Sequence, residues 1–92
     1  MILNFRCAET QALFEMGDSR RWKNILSVAT RKLTMLHAAT ELRDLRSPPG
    51  NRLEALQGNR LGQYSIRIND QFRICFEWSD AGPTNVEIVD YH

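Results

Sequence analysis

Cysteine and histidine are scarce in this sequence: Cys7, Cys75, His37 and His92 are the whole supply among 92 residues. With no CxxC and no histidines clustered near either cysteine, neither a structural zinc site nor a disulfide framework is supported. The expectation is a pair of reduced, buried thiols in a cytoplasmic protein, with no metal and no other cofactor. His37 stands alone in a helical pattern and reads as part of a polar helix face. Long apolar runs are missing as well. No stretch reaches the roughly 18 apolar residues that cross a bilayer, which excludes a membrane partner of that kind. The N-terminal MILNFRCAET lacks the apolar core of a secretory signal and reads as mature sequence. Repeats, low-complexity tracts and linkers are also absent, so the length sets one domain, 1–92, around a single modest core.

Charge is nearly balanced at +1, but it is unevenly placed. Between Arg46 and Arg73 stand five arginines (Arg46, Arg52, Arg60, Arg67, Arg73) against Glu54 and Asp70; from Ile74 onward there are four acids and no Lys or Arg. Ten of the twelve basic residues are Arg, whose planar fork suits phosphate and carboxylate. A solvated face laced with ion pairs and an anion-binding surface both fit this composition.

Residues 2–6, ILNFR, are apolar enough for a first strand, and AETQALFEMG reads as a short helix ended by Gly17. From Arg21 to about Ala39 the apolar positions Trp22, Ile25, Leu26, Ala29, Leu33 and Leu36 recur at helical spacing, predicting one longer helix with a core-facing stripe. One more turn is expected around Leu42 and Leu45 before Pro48, Pro49 and Gly50 stop it. Beyond residue 50 the period changes to two. QYSIRI and FRICFEW each carry one apolar and one polar face; NRLEALQG offers a short strand before them, and NVEIVDY a last strand after a DAGPTN turn. Helices first and strands afterwards predict an α+β fold, with two N-terminal helices packed on one face of a small antiparallel sheet.

Parity fixes the central hairpin. A two-residue turn would oppose apolar to polar along the whole ladder, whereas a three-residue loop, Asn69-Asp70-Gln71, pairs Ile68 with Phe72, Ile66 with Ile74 and Tyr64 with Phe76. The same register sets Arg67 opposite Arg73. Two like charges so placed destabilise the strand pair unless something negative lies between them. Glu54, Glu77 or Glu87 would serve, and so would a phosphate gripped by both guanidinium forks.

The last three residues, Asp90, Tyr91 and His92, extend an apolar strand with an acid, a phenol and an imidazole. A histidine within reach of two phosphate-holding arginines suits RNA cleavage. There a base removes the 2′-OH proton, cations stabilise charge on phosphorus and an acid protonates the departing 5′ oxygen. An imidazole's unperturbed pKa lies near neutrality, so His92 is a candidate for acid or base. Alternation puts Asp90 and His92 with Val86 and Ile88, and Tyr91 with Val89; both faces are half apolar, so the pattern leaves open which looks outward.

The run LRSPPGNRLEALQGNRLGQYSIRINDQFRICFEW, followed by NVEIVDYH, resembles the HigB branch of the RelE/ParE toxin superfamily, the plasmid-maintenance killer toxins of type II toxin-antitoxin modules. The resemblance spans essentially the whole chain. It implies a RelE/ParE-like α+β toxin domain, a ribosome-dependent endoribonuclease that cuts mRNA in the decoding site and inhibits growth, and a cognate helix-turn-helix antitoxin that links it to operator DNA. By position, Arg67 and Arg73 correspond to the phosphate-binding arginines, with Arg60 and Arg52 as further RNA contacts. Asp90, Tyr91 and His92 match the functional C-terminus. Relatives carry a histidine and a lysine in the segment reading LEALQG here, where this chain has Glu54 and Gln57. Glu54 is then the candidate base, and the loss predicts slow cutting or toxicity that also rests on occupying the ribosome.

Arg20, Arg21, Lys23, Arg31 and Lys32 on the long helix are candidate contacts to ribosomal RNA, with a solvated helix face as the plain alternative. Tyr64, Phe72 and Trp78 fall on the apolar face and read as core, while Tyr91 is a candidate for base stacking. Two rival readings remain: a non-catalytic ParE-like inhibitor of DNA gyrase, and a weakly active toxin acting mainly by ribosome or antitoxin binding.

Overall fold

Apolar spacing of three and four folds Ala8–Met16 (α1) and Leu26–Ala38 (α2) into helices, and period-two segments fold the second half into a sheet, in a computed structural model that describes residues 1–90. Helix α1 ends at Gly17, whose φ of 69° lets its N–H reach the Leu13 carbonyl at 2.9 Å. Helix α2 buries Ala29, Leu33 and Leu36. The expected start of this helix at Arg21 is corrected: Lys23–Ile25 form a separate 3₁₀ turn, entered where Ser19 Oγ accepts the Trp22 N–H at 3.1 Å. Trp22 and Ile25 are still buried, so the apolar stripe survives the break in the helix. Further 3₁₀ turns at Leu42–Arg46 and Pro49–Asn51 lead into the sheet.

The sheet is antiparallel in the order β1-β2-β3-β4, from Glu54–Ala55 (β1), Gln63–Arg67 (β2), Phe72–Ser79 (β3) and Gly82–Asp90 (β4). Its central register is the expected one: Tyr64 opposite Phe76, Ile66 opposite Ile74 and Arg67 opposite Arg73. Ile66, Ile68, Ile74, Phe76, Val86 and Ile88 form one core with Leu13, Trp22, Leu33 and Leu36 from the helical half; Tyr64, Phe72 and Trp78 pack on its margin.

Two expectations for the strands change. The DAGPTN segment is not all turn: β3 reverses at Asp80-Ala81, and Gly82 already pairs with Ser79 and Pro83 with Trp78. A proline is tolerated there because β4 is an edge strand. Between Thr84, opposite Glu77, and Glu87, opposite Cys75, β4 holds one residue too many. Asn85, at φ 52°, lies in this bulge and brings Val86 and Ile88 inward while Thr84 and Glu87 face out. Residues 2–6, expected as a strand, make only an isolated parallel bridge, Phe5 to Val86. Arg6 N–H still reaches the Val86 carbonyl at 3.0 Å, Val86 N–H the Asn4 carbonyl at 3.3 Å and Ile88 N–H the Thr10 hydroxyl at 3.0 Å, so this segment and α1 cover the β4 edge.

Candidate functional site

The face of the sheet turned away from the core carries Ser65 and Arg67 of β2, Arg73 and Cys75 of β3, Glu87 of β4 and Glu54 of β1. Cross-strand neighbours set Glu54 beside Ser65, Ser65 beside Cys75, and Cys75 beside Glu87. Ser65 and Cys75 are nonetheless fully buried, Ser65 bonded by Arg73 and Cys75 close enough to Arg60, Glu87 and Arg73 to feel their charges. Burial, the leading effect, holds the Cys75 thiol above its ordinary pKa.

Arg73 is the most enclosed of these cations, with 11% of its side chain exposed. Its Nε donates to Ser65 Oγ at 2.8 Å, its Nη2 donates to the Arg52 carbonyl at 2.6 Å, and its Nη1 lies 3.8 Å from Glu54 Oε1. Two of a guanidinium's five donors are thus fixed by the protein and three remain. Arg67 pairs with Asp70 in the hairpin loop. The like charges expected across the strands are therefore balanced separately, by Asp70 on one side and loosely by Glu54 on the other. Arg60, from the 3₁₀ turn Gly58–Arg60, donates to Gln63 at 3.0 Å and Glu87 at 3.2 Å, and Arg6 lies 3.5 Å from the same carboxylate.

The two carboxylates facing the arginine pair are weakly held. Asp70 is fully exposed and Glu54 is 54% exposed. Exposed pairs of this kind contribute little and exchange readily for another anion. Ser65 and the Arg52 carbonyl, by contrast, are fixed neighbours. The outcome is an arginine held in place with donors to spare, beside a second whose counter-ion is easily displaced.

Other residues expected at a site lie elsewhere. Asp90 pairs with Phe72 on the strand face shared with Ile88, opposite to the arginines, and accepts from Gln71 Nε2 at 3.2 Å. Tyr91 and His92 lie outside the described residues. Arg20, Arg21, Lys23 and Arg31 are exposed, Arg21 reaching Glu9 at 2.7 Å and standing 4.7 Å over the Trp22 ring. Lys32, expected on the same solvated face, is instead buried: it extends the Ala29–Leu33–Leu36 stripe and its ammonium bonds Asn51. His37 accepts the Ile2 N–H at its Nδ1, 3.1 Å away, and packs on Phe14. Among the described residues no three His, Cys, Asp or Glu side chains gather as a metal site. A groove of about 360 Å³ lined by Leu42, Arg46, Leu53 and Tyr64 belongs to the other side of β1 and does not reach the arginine pair. Sequence pattern missed Ser65 and the Arg52 carbonyl as partners of Arg73; a small polar residue between two strand neighbours was the one available sign of the first.

The family model described as RelE-like toxin of type II toxin-antitoxin system HigB matches residues 3–92. Toxin HigB-1 of Vibrio cholerae is 40% identical over 89 residues, covering 92% of each chain. An uncharacterized protein of Haemophilus influenzae is 35% identical over 85 residues, covering 90% of this chain and 84% of its own. Among solved structures, a YoeB/ParE toxin from Agrobacterium tumefaciens superposes with a TM-score of 0.57 over 99% of this chain and 98% of that one; at 18% identity this likeness shows the shared fold alone.

Proposed function

Because the chain belongs to the HigB-like family of RelE-like type II toxins, we propose that it is an endoribonuclease that cuts mRNA on the ribosome. A type II toxin implies a cognate antitoxin, and a helix-turn-helix protein that carries the pair to operator DNA is the kind expected. The observation that carries the nuclease reading is the Arg67–Arg73 pair on the open face, with Arg73 fixed by Ser65 and the Arg52 carbonyl. A cation held before the substrate arrives needs no reorganisation when charge develops on phosphorus.

In this reading the scissile phosphate displaces Asp70 and Glu54 and is gripped by Arg67 and Arg73, with Arg52 and Arg60 along the neighbouring backbone. Glu54, released from Arg73, takes the 2′-OH proton, and His92, in a role that rests on the family resemblance, gives one to the departing 5′ oxygen. Tyr91 stacks on a base or sugar, and Asp90 secures the end of β4 through Gln71. Exposed Arg20, Arg21, Lys23 and Arg31 supply contacts to ribosomal RNA phosphates. One feature slows the chemistry: a carboxylate, Glu54, stands in the segment where the resemblance implies a histidine. Ribosome occupancy then adds to toxicity.

Primer extension on mRNA after induction tests this. Discrete breaks inside translated codons are expected, and they disappear with Arg73→Ala. Intact transcripts during growth arrest contradict it; with gyrase inhibited they would favour the ParE-like alternative, and without it a toxin that acts by binding.

A further inference from the structure

Asn51 is fully buried, and both ends of its side-chain amide are engaged. Its Nδ2 donates to the carbonyls of Leu45 at 3.1 Å and Ser47 at 3.4 Å, and its Oδ1 accepts from Lys32 Nζ at 2.5 Å. Lys32 is only 7% exposed, and burial lowers its pKa, with Arg31 and then Arg67 adding to the effect. A cation buried against a neutral amide is an expensive choice for a helix stripe that leucine or methionine would fill. Its retention calls for a role other than packing.

The next residue supplies one. Arg52 has a φ of 46°, a left-handed conformation that a non-glycine residue keeps only where its surroundings hold it. Its N–H is tied to the Pro49 carbonyl at 3.1 Å, and its own carbonyl receives Arg73 Nη2 at 2.6 Å. A continuous path therefore runs from Lys32 on α2, through the Asn51 amide and the Arg52 peptide, to the guanidinium on the open face.

We propose that Lys32 and Asn51 are positioning residues for Arg73: they lock residues 45–52 so that the Arg52 carbonyl holds the guanidinium in its anion-gripping pose. The importance of that pose rests on the proposed reading of Arg73 as the group that holds the scissile phosphate. Neither residue touches the substrate. Removing the ammonium leaves Asn51 Oδ1 buried without its donor, and the loop relieves this by moving, taking the Arg52 carbonyl with it.

The test uses the full chain with Lys32→Met, which keeps an unbranched apolar stem, and separately Asn51→Ser. Proton exchange at Arg73 Nη2, the nitrogen that donates to the Arg52 carbonyl, is followed by nitrogen-15 NMR, and mRNA cleavage is followed in a purified translation system. In both variants exchange is expected to quicken at least about tenfold, the factor for one hydrogen bond to a charged group, with cleavage falling in parallel. A merely structural role predicts a lower Tm with Arg73 exchange unchanged in the folded protein, and that result overturns the proposal. If Asn51→Ser does not fold, Lys32→Met alone decides. The NMR arm contains no RNA, so faster exchange in a protein whose wild type never cuts mRNA upholds the positioning and overturns the nuclease reading instead.

Discussion

On the covered face of the sheet Ile66, Ile74 and Ile88 stand in line across three strands; one residue along, on the open face, Ser65, Cys75 and Glu87 do the same. Four of these six side chains are wholly buried, two on each face, but different neighbours bury them. The isoleucines lie under α1 and α2, where any well-fitting apolar surface serves. Ser65 and Cys75 lie among charged groups of the sheet itself and its loops, Arg73 bonding the serine and Arg60, Glu87 and Arg73 acting on the thiol, and there each polar atom needs its own partner. Among the described residues no buried side-chain nitrogen or oxygen lacks one. The covered face is therefore held by volume and the open face by pairing. Pairing leaves charge that an incoming anion can take over.

Ile74→Ala breaks the first half of this comparison and carries the largest expected effect. Deleting a fully buried side chain that faces Ile66 and Ile88 costs about 2–5 kcal/mol, measured as a lower urea midpoint. Thiol labelling sharpens the second half. Cys75, buried and with its pKa raised, reacts with a thiol reagent only on unfolding, whereas half-buried Cys7 reacts in the native protein; mass spectrometry locates the label.

A smaller effect is expected from pH. Lys32 is held below the ordinary lysine value of 10.5, first by burial and then by Arg31 and Arg67. The unfolded chain then binds the extra proton, so stability rises with pH from the folded pKa toward 10.5. Urea midpoints of wild type should gain on Lys32→Met as pH climbs through that window. Smallest of all, Asp70→Asn should leave the unfolding midpoint unchanged, since Asp70 is fully exposed, while modestly tightening binding of a short single-stranded RNA to the open face.

Alternation made the covered face legible in the sequence, because a one-residue slip in the central hairpin would have turned every isoleucine outward. The opposition of Arg67 and Arg73 came with it. Less was visible where the chain departs from a single period. Gly82-Pro83 looks like a turn yet runs along an edge strand, and the bulge at Asn85 leaves no mark in apolar spacing. The separate 3₁₀ turn before α2 keeps Trp22 and Ile25 at positions a continuous helix would also bury. Lys32 occupies the apolar stripe, but its charge suggested a solvated position. The partners of Arg73 were beyond reach for a different reason: one is a main-chain carbonyl twenty-one residues away, and backbone groups carry no sequence signature.

The most direct measurement is the single-turnover rate of mRNA cleavage on purified ribosomes by wild type and by Arg73→Ala, with circular dichroism confirming the fold of each. If the open face grips the phosphate, the wild type cuts within translated codons and the variant is slower by about a hundredfold or more while still folded. Equal rates for the two folded proteins would contradict the account.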